Sequence, residues 1–150
     1  MKIVIAGQKH FGRDVLALVL KLGHEVAAVS SPADPGDKLQ MAVRAHNLPW
    51  IDAAAFNART MPDGCDLILA AHCHSFLSAR TRAKAELGAL GYHPSLLPLH
   101  RGRSAIEWAL RFGERVTGGS VYWLTDVVDG GPVAAQDWCF IRPGDTAREL

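Results

Sequence analysis

Lys2-Ile3-Val4-Ile5-Ala6-Gly7 and, after a helical interval, Glu25-Val26-Ala27-Ala28-Val29 are the stretches whose reading decides the fold. The first is a short β-branched run closed by a glycine. Behind it, after a brief loop, Val15, Leu16, Val19, Leu20 and Leu22 recur at helical spacing and stop at Gly23. The second run is again a strand pattern. Strand, helix and strand in that order form a βαβ unit, whose right-handed crossover builds a parallel sheet.

Working outward, Ser30 to Gly36 is a turn-rich loop, and Leu39, Met41, Ala42 and Ala45 predict a helix that ends before Leu48-Pro49. Trp50-Ile51 begins a short extended piece. Cys65 to Ala71 is apolar enough for a strand covered on both faces. Arg80 to Leu87 predicts a surface helix, Ala89 to Tyr92 a short strand, and Ser104 to Phe112 a helix with Ser104 as its N-cap. From Gly118 the period changes to two. Ser120, Tyr122 and Leu124 alternate with Val121, Trp123 and Thr125, and Val133 to Phe140 follows across Asp129-Gly130-Gly131-Pro132, which predicts a hairpin. The expected class is therefore α/β, a Rossmann-like, doubly wound, mostly parallel sheet with a C-terminal antiparallel hairpin. Ligands in such sheets bind at the carboxyl ends of strands, where the loops after Ala71 and Tyr92 lie.

With 150 residues, 49% hydrophobic and 21% charged, residues 1–150 have the balance of one ordinary domain. Pro143 to Leu150 reads as a helix being started, so the domain is expected to be a piece of a longer chain. A net charge of +1 with dispersed arginines gives no basic stripe, and no nucleic acid is expected to bind this domain. The longest apolar run, Val15 to Leu20, is far short of the roughly 20 residues a membrane span needs. The first residues lack a secretory pattern, and Cys65, Cys73 and Cys139 form neither a CxxC nor a disulfide framework. A reduced, cytoplasmic setting without membrane contact is expected.

The segment richest in chemistry is Gly91-Tyr92-His93-Pro94-Ser95-Leu96-Leu97-Pro98-Leu99-His100-Arg101-Gly102. Its prolines stiffen a loop that presents His93 directly after a strand. Asp129, read alone, is a turn former of the Asp-Gly kind. Gly7-Gln8-Lys9-His10-Phe11-Gly12 follows the first strand but lacks G-x-G-x-x-G. Arg13-Asp14 then stands where a phosphate loop needs Lys and Ser or Thr, so no nucleotide cofactor is expected. His72, Cys73 and His74 could join His93 around zinc, but strand alternation turns Cys73 to the opposite face, and no metal is expected.

His93-Pro94-Ser95-Leu96-Leu97-Pro98 with Arg101-Gly102 resembles the signature loop of the enzymes that use 10-formyltetrahydrofolate. Thr125-Asp126-Val127-Val128-Asp129-Gly130-Gly131-Pro132-Val133 is similar to that family's second motif. The family includes glycinamide ribonucleotide transformylase, methionyl-tRNA formyltransferase and the hydrolase domain of 10-formyltetrahydrofolate dehydrogenase. Met1-Lys2-Ile3, Gly7-Gln8, Phe11-Gly12, Gly23-His24-Glu25-Val26, Tyr92-His93 and Ala105-Ile106-Glu107-Trp108 lean toward the last of these.

The resemblance implies 10-formyltetrahydrofolate as formyl donor and an acceptor amine, or water, as its partner. It also implies that Leu69, Ala71, Cys73, Phe76 and Asp126 bind folate, that Gln8 and Phe11 lie on the acceptor side, and that Arg101 orients an anionic group. Of the family's asparagine, histidine and aspartate, the last two carry over as His93 and Asp129. His93 would donate to the oxygen that becomes anionic when the formyl carbon is attacked, and Asp129 would move the proton. Gly91 stands where most transferases have the asparagine, and is expected to leave a small space beside His93 for a water. The alternative expectation is a catalytically weak folate-binding module of a larger protein.

Overall fold

A computed structural model describes residues 1–150 of the chain. Contacts divide it into two compact units, residues 1–90 and 91–150. The first begins β1 (Lys2–Gly7), α1 (Lys9–Lys21), β2 (Glu25–Ser31), α2 (Lys38–Ala45), β3 (Trp50–Asp52), β4 (Leu67–Ala71) and α3 (Ala79–Arg82). β1 lies between β2 and β4 and is parallel to both, and β3 extends the same parallel array beyond β2. That central place explains why β1 is apolar on both faces and buried from Ile3 to Gly7. α1 turns Gly12, Leu16 and Val19 inward, and α2 turns Leu39, Gln40 and Val43 inward. With Ile3, Ile5, Val26 and Val29 the leucines and valines of these two helices form one core cluster. Each fully buried aliphatic side chain there stabilises the fold by about 1.5–3 kcal/mol.

Two polar features fix this unit's geometry. Asp37 caps α2 through Leu39 N and Gln40 N, both at 3.0 Å, and its other oxygen accepts from Lys9 N at 2.7 Å, tying the starts of both helices. A Cβ built on Gly7 would stand 1.9 Å from the Ala71 carbonyl oxygen, so only glycine lets β1 approach β4 at their carboxyl ends.

β5 (Ala89–His93), α4 (Ala105–Arg111), β6 (Val116–Trp123) and β7 (Val133–Phe140) complete the chain. β6 and β7 are antiparallel, from Val116 opposite Phe140 to Tyr122 opposite Val133, and every residue of β7 is exposed. The strand order is β3-β2-β1-β4-β5-β6-β7. This is the expected mostly parallel α/β sheet with its antiparallel C-terminal pair.

Local differences have identifiable causes. α1 starts directly after Gln8, with no intervening loop. The helix expected over 80–87 stops at Arg82, because Glu86 N and Leu87 N donate to the Cys65 and Asp66 carbonyls, at 3.0 and 2.8 Å, in place of helical partners. Ser104 precedes α4 at φ 61° and its hydroxyl caps nothing; only its carbonyl takes part, accepting from Trp108 N.

Candidate active site

β5 ends at His93, and the loop that follows is held by polar staples. Ser95 Oγ donates to the Leu99 carbonyl at 2.6 Å, and Ser95 N donates to the His93 carbonyl at 2.9 Å. Ser120, fully buried on β6, donates to the Ser95 carbonyl at 2.6 Å and accepts from Leu97 N at 3.0 Å. Gln136 Nε2 on β7 donates both to Ser120 Oγ at 2.8 Å and to the Leu97 carbonyl at 2.9 Å. The Ser120 hydroxyl thus uses its one hydrogen and both acceptor positions. A loop with no regular hydrogen-bond ladder is in this way made rigid.

The two expected reactive residues meet inside this frame. His93 is 7% exposed, and its Nδ1 lies 3.4 Å from Asp129 Oδ2. Its Nε2 lies 2.7 Å from the His100 carbonyl, and since a carbonyl only accepts, Nε2 carries the hydrogen. The Asp129–His93 contact becomes a charge-assisted hydrogen bond when the imidazole is protonated. His100 is fixed in turn: Nε2 pairs with Glu114 Oε1 at 2.6 Å and the ring stacks on Phe112. Asp129 sits at φ 48°, a backbone conformation Asp tolerates, and is ligated from two further sides. Gly102 N donates to Oδ2 at 2.7 Å, and the Tyr122 hydroxyl donates to Oδ1 at 2.5 Å. Burial first, and then the hydrogen bond and charge of Asp129, push the ionisation of Tyr122 far above the ordinary tyrosine value.

The expected water-sized space at Gly91 is absent. A Cβ there would lie 2.7 Å from Leu124 Cδ2 and 3.2 Å from Tyr122 Cε1, so side chains of β6 and of the segment after it already fill the volume. Tyr122, Ser120 and Gln136 are site-building residues that motif reading passes over. Their signal was a serine and a tyrosine on the same face of a two-residue alternation, a face that has to turn inward.

Of the remaining expected residues in residues 91–150, Arg101 and Asp126 are both exposed, one on each motif loop. In residues 1–90, Gln8 and Cys73 line one cavity of about 50 Å³ with Gly7, Phe56, His72 and His74. Burial raises the Cys73 thiol's pKa, while burial, then His74 and Lys9, lowers that of His72. Ala71 is buried and its carbonyl accepts from Gln8 N at 3.2 Å; Leu69 packs against the core cluster. Phe76 is exposed, with the Arg82 guanidinium 6.0 Å from its ring centre, and Phe11 is half-buried. No three His, Cys, Asp or Glu side chains are grouped to hold a metal, and no helix is long and apolar enough to cross a membrane.

Comparison with known proteins gives a consistent result. The formyl transferase family model matches residues 1–150. The cytosolic 10-formyltetrahydrofolate dehydrogenase of Homo sapiens is 33% identical across the whole chain, which spans 18% of that protein's length. The mitochondrial 10-formyltetrahydrofolate dehydrogenase of Mus musculus is 32% identical over the same share. Methionyl-tRNA formyltransferase from Thermotoga sp. (strain RQ2) is 30% identical, and the chain covers 52% of it. Among solved structures, glycinamide ribonucleotide transformylase 1 from Symbiobacterium toebii matches with a TM-score of 0.80 at 26% identity, over 99% of this chain and 78% of that one.

Proposed function

We propose, from the premise that the chain belongs to the formyl transferase family, that it works on the formyl group of 10-formyltetrahydrofolate with His93 and Asp129 at the reacting centre. The observation that carries this is the meeting of two separate motifs: Asp129 Oδ2 stands 3.4 Å from His93 Nδ1, both nearly buried. An amine or a water attacks the formyl carbon, and its proton passes to the Asp129 carboxylate. The formyl oxygen takes the negative charge and a hydrogen bond from His93. As the bond from carbon to folate N10 breaks, that proton is delivered to N10. Product is either a formylated amine or formate, with tetrahydrofolate released.

Leu69, Ala71, Cys73, Phe76 and Asp126 remain our proposed folate-binding residues, with Gln8, Phe11 and Arg101 on the acceptor side. No step in this chemistry calls for a metal or a nucleotide. The test is turnover of 10-formyltetrahydrofolate by the purified chain, with a panel of amines and with none. Release of tetrahydrofolate above the uncatalysed rate is the expected result, and binding without turnover would sink it. One observation favours a second reading, a folate-binding module with little catalysis: both ring nitrogens of His93 already face protein acceptors. Tight binding of a non-hydrolysable folate analogue, with no turnover of the natural donor, is what that reading requires.

A further inference from the structure

On the function proposed above, Asp129 is the residue that moves a proton, and the direction of its carboxylate oxygens matters. Three groups of residues 91–150 decide its position. Gly102 N and His93 Nδ1 share Oδ2, and the Tyr122 phenol alone takes Oδ1. Tyr122 is 5% exposed, and its ring stands where a side chain at position 91 would be: Cε1 and Cζ lie 3.2 and 3.3 Å from a Cβ built on Gly91. A larger residue at 91 would therefore push the phenol away from the carboxylate, and the glycine and the tyrosine belong together.

We propose that Tyr122 is a positioning residue of the reacting centre, whose phenol holds the Asp129 carboxylate by Oδ1 and thereby turns Oδ2 toward His93. This role rests on the function proposed above. A carboxylate oxygen held by one donor leaves the second oxygen defined in direction, and proton transfer depends steeply on that direction. The hydrogen bond is to a charged acceptor, the stronger kind. The groups facing the phenol are Asp129 and, through that carboxylate, His93; the His100–Glu114 pair stands one residue further along the same network.

The experiment has two arms. In the first, Tyr122→Phe keeps the ring that fills the space at Gly91 and removes only the donor. The expected result is a fall of about ten- to a hundredfold in kcat, the equivalent of one hydrogen bond to a charged group, with KM for 10-formyltetrahydrofolate within about threefold. The second arm leaves Tyr122 in place. The chain has 2 tyrosines, so in a Tyr92→Phe background the ultraviolet phenolate signal reports Tyr122 alone. Its ionisation should move to lower pH when Asp129→Asn is added, because a neutral amide no longer holds the phenol protonated. A kcat within twofold of wild type in Tyr122→Phe overturns the proposal, and so does a phenolate titration indifferent to Asp129. If Tyr122→Phe loses thermal stability in step with kcat, the second arm still decides. Absence of turnover in the wild-type chain is a different outcome, which removes the underlying function and with it this role.

Discussion

β1 and β6 both point side chains inward, but they hold their surroundings by different means. β1 buries Ile3, Val4 and Ile5 against aliphatic neighbours, whereas β6 buries Thr117, Ser120 and Tyr122. Burial of apolar area is non-directional: it fixes that two elements are in contact but not where any one atom stands. Hydrogen bonds fix atoms. Ser120 sets the path of the loop after His93, and Tyr122 sets one oxygen of Asp129, so the strand nearest the proposed chemistry is the one that uses polar side chains.

The sharpest way to break the contrast is at the centre itself. His93→Ala should lower turnover by about 10²–10³ while leaving the fold intact, since it removes the proposed donor to a developing oxyanion. Unchanged kcat in a folded variant would take His93 out of the mechanism. Asp129→Asn keeps the shape and one acceptor oxygen but deletes the proposed proton carrier. It should cut kcat by about 10² or more, with folate affinity within a few-fold. Full activity would leave Asp129 as a turn residue only.

Leu16→Ala tests the other side. Leu16 is 1% exposed in the aliphatic cluster, and the substitution should cost about 2–5 kcal/mol of stability. The rate per folded molecule should be unchanged; a large fall in kcat at matched folded fraction would show that apolar burial in residues 1–90 also sets the site. Ser120→Ala should cost less, about 1–3 kcal/mol, by stranding Leu97 N. Here, though, kcat should fall together with stability. Calorimetry and steady-state rates on the same preparation separate the two patterns.

The smallest expected effect is on pH. The folded chain keeps the Tyr122 proton to a pH above the ordinary tyrosine value of 10.0, burial and Asp129 being the causes. Above that value the unfolded chain binds fewer protons than the folded one, so the stabilisation present below it is lost as pH rises further. The denaturation midpoint of the wild type should therefore fall more steeply above about pH 10 than that of Tyr122→Phe. Parallel curves would show that the phenol's environment does not differ between the two states.

Much of this was legible in the sequence because it rests on apolar periodicity. The runs at Lys2–Gly7 and Cys65–Ala71 and the spacing of Leu16 and Val19 specify buried strands and a helix face without help from distant residues. His93 and Asp129 stand out through their motif loops, and the fold brings the two side chains to 3.4 Å. Tyr122 was not, since a tyrosine in an alternating strand reads the same whether its hydroxyl meets solvent or a carboxylate seven residues on. The helix expected over 80–87 ends at Arg82 for a related reason. Carbonyls of Cys65 and Asp66, some twenty residues earlier, claimed the amides of Glu86 and Leu87, and no local pattern records that competition.

The carbonyl of His100 is, in effect, a resident competitor for the hydrogen on His93 Nε2. On the mechanism proposed above, the neutral formyl oxygen of a bound folate would offer that hydrogen no better partner than the one it already has. The balance changes only when the oxygen acquires full charge, as nucleophile and formyl carbon join. A donor whose occupancy switches with charge favours the passage over the resting complex, and such selectivity raises turnover without tightening the grip on substrate.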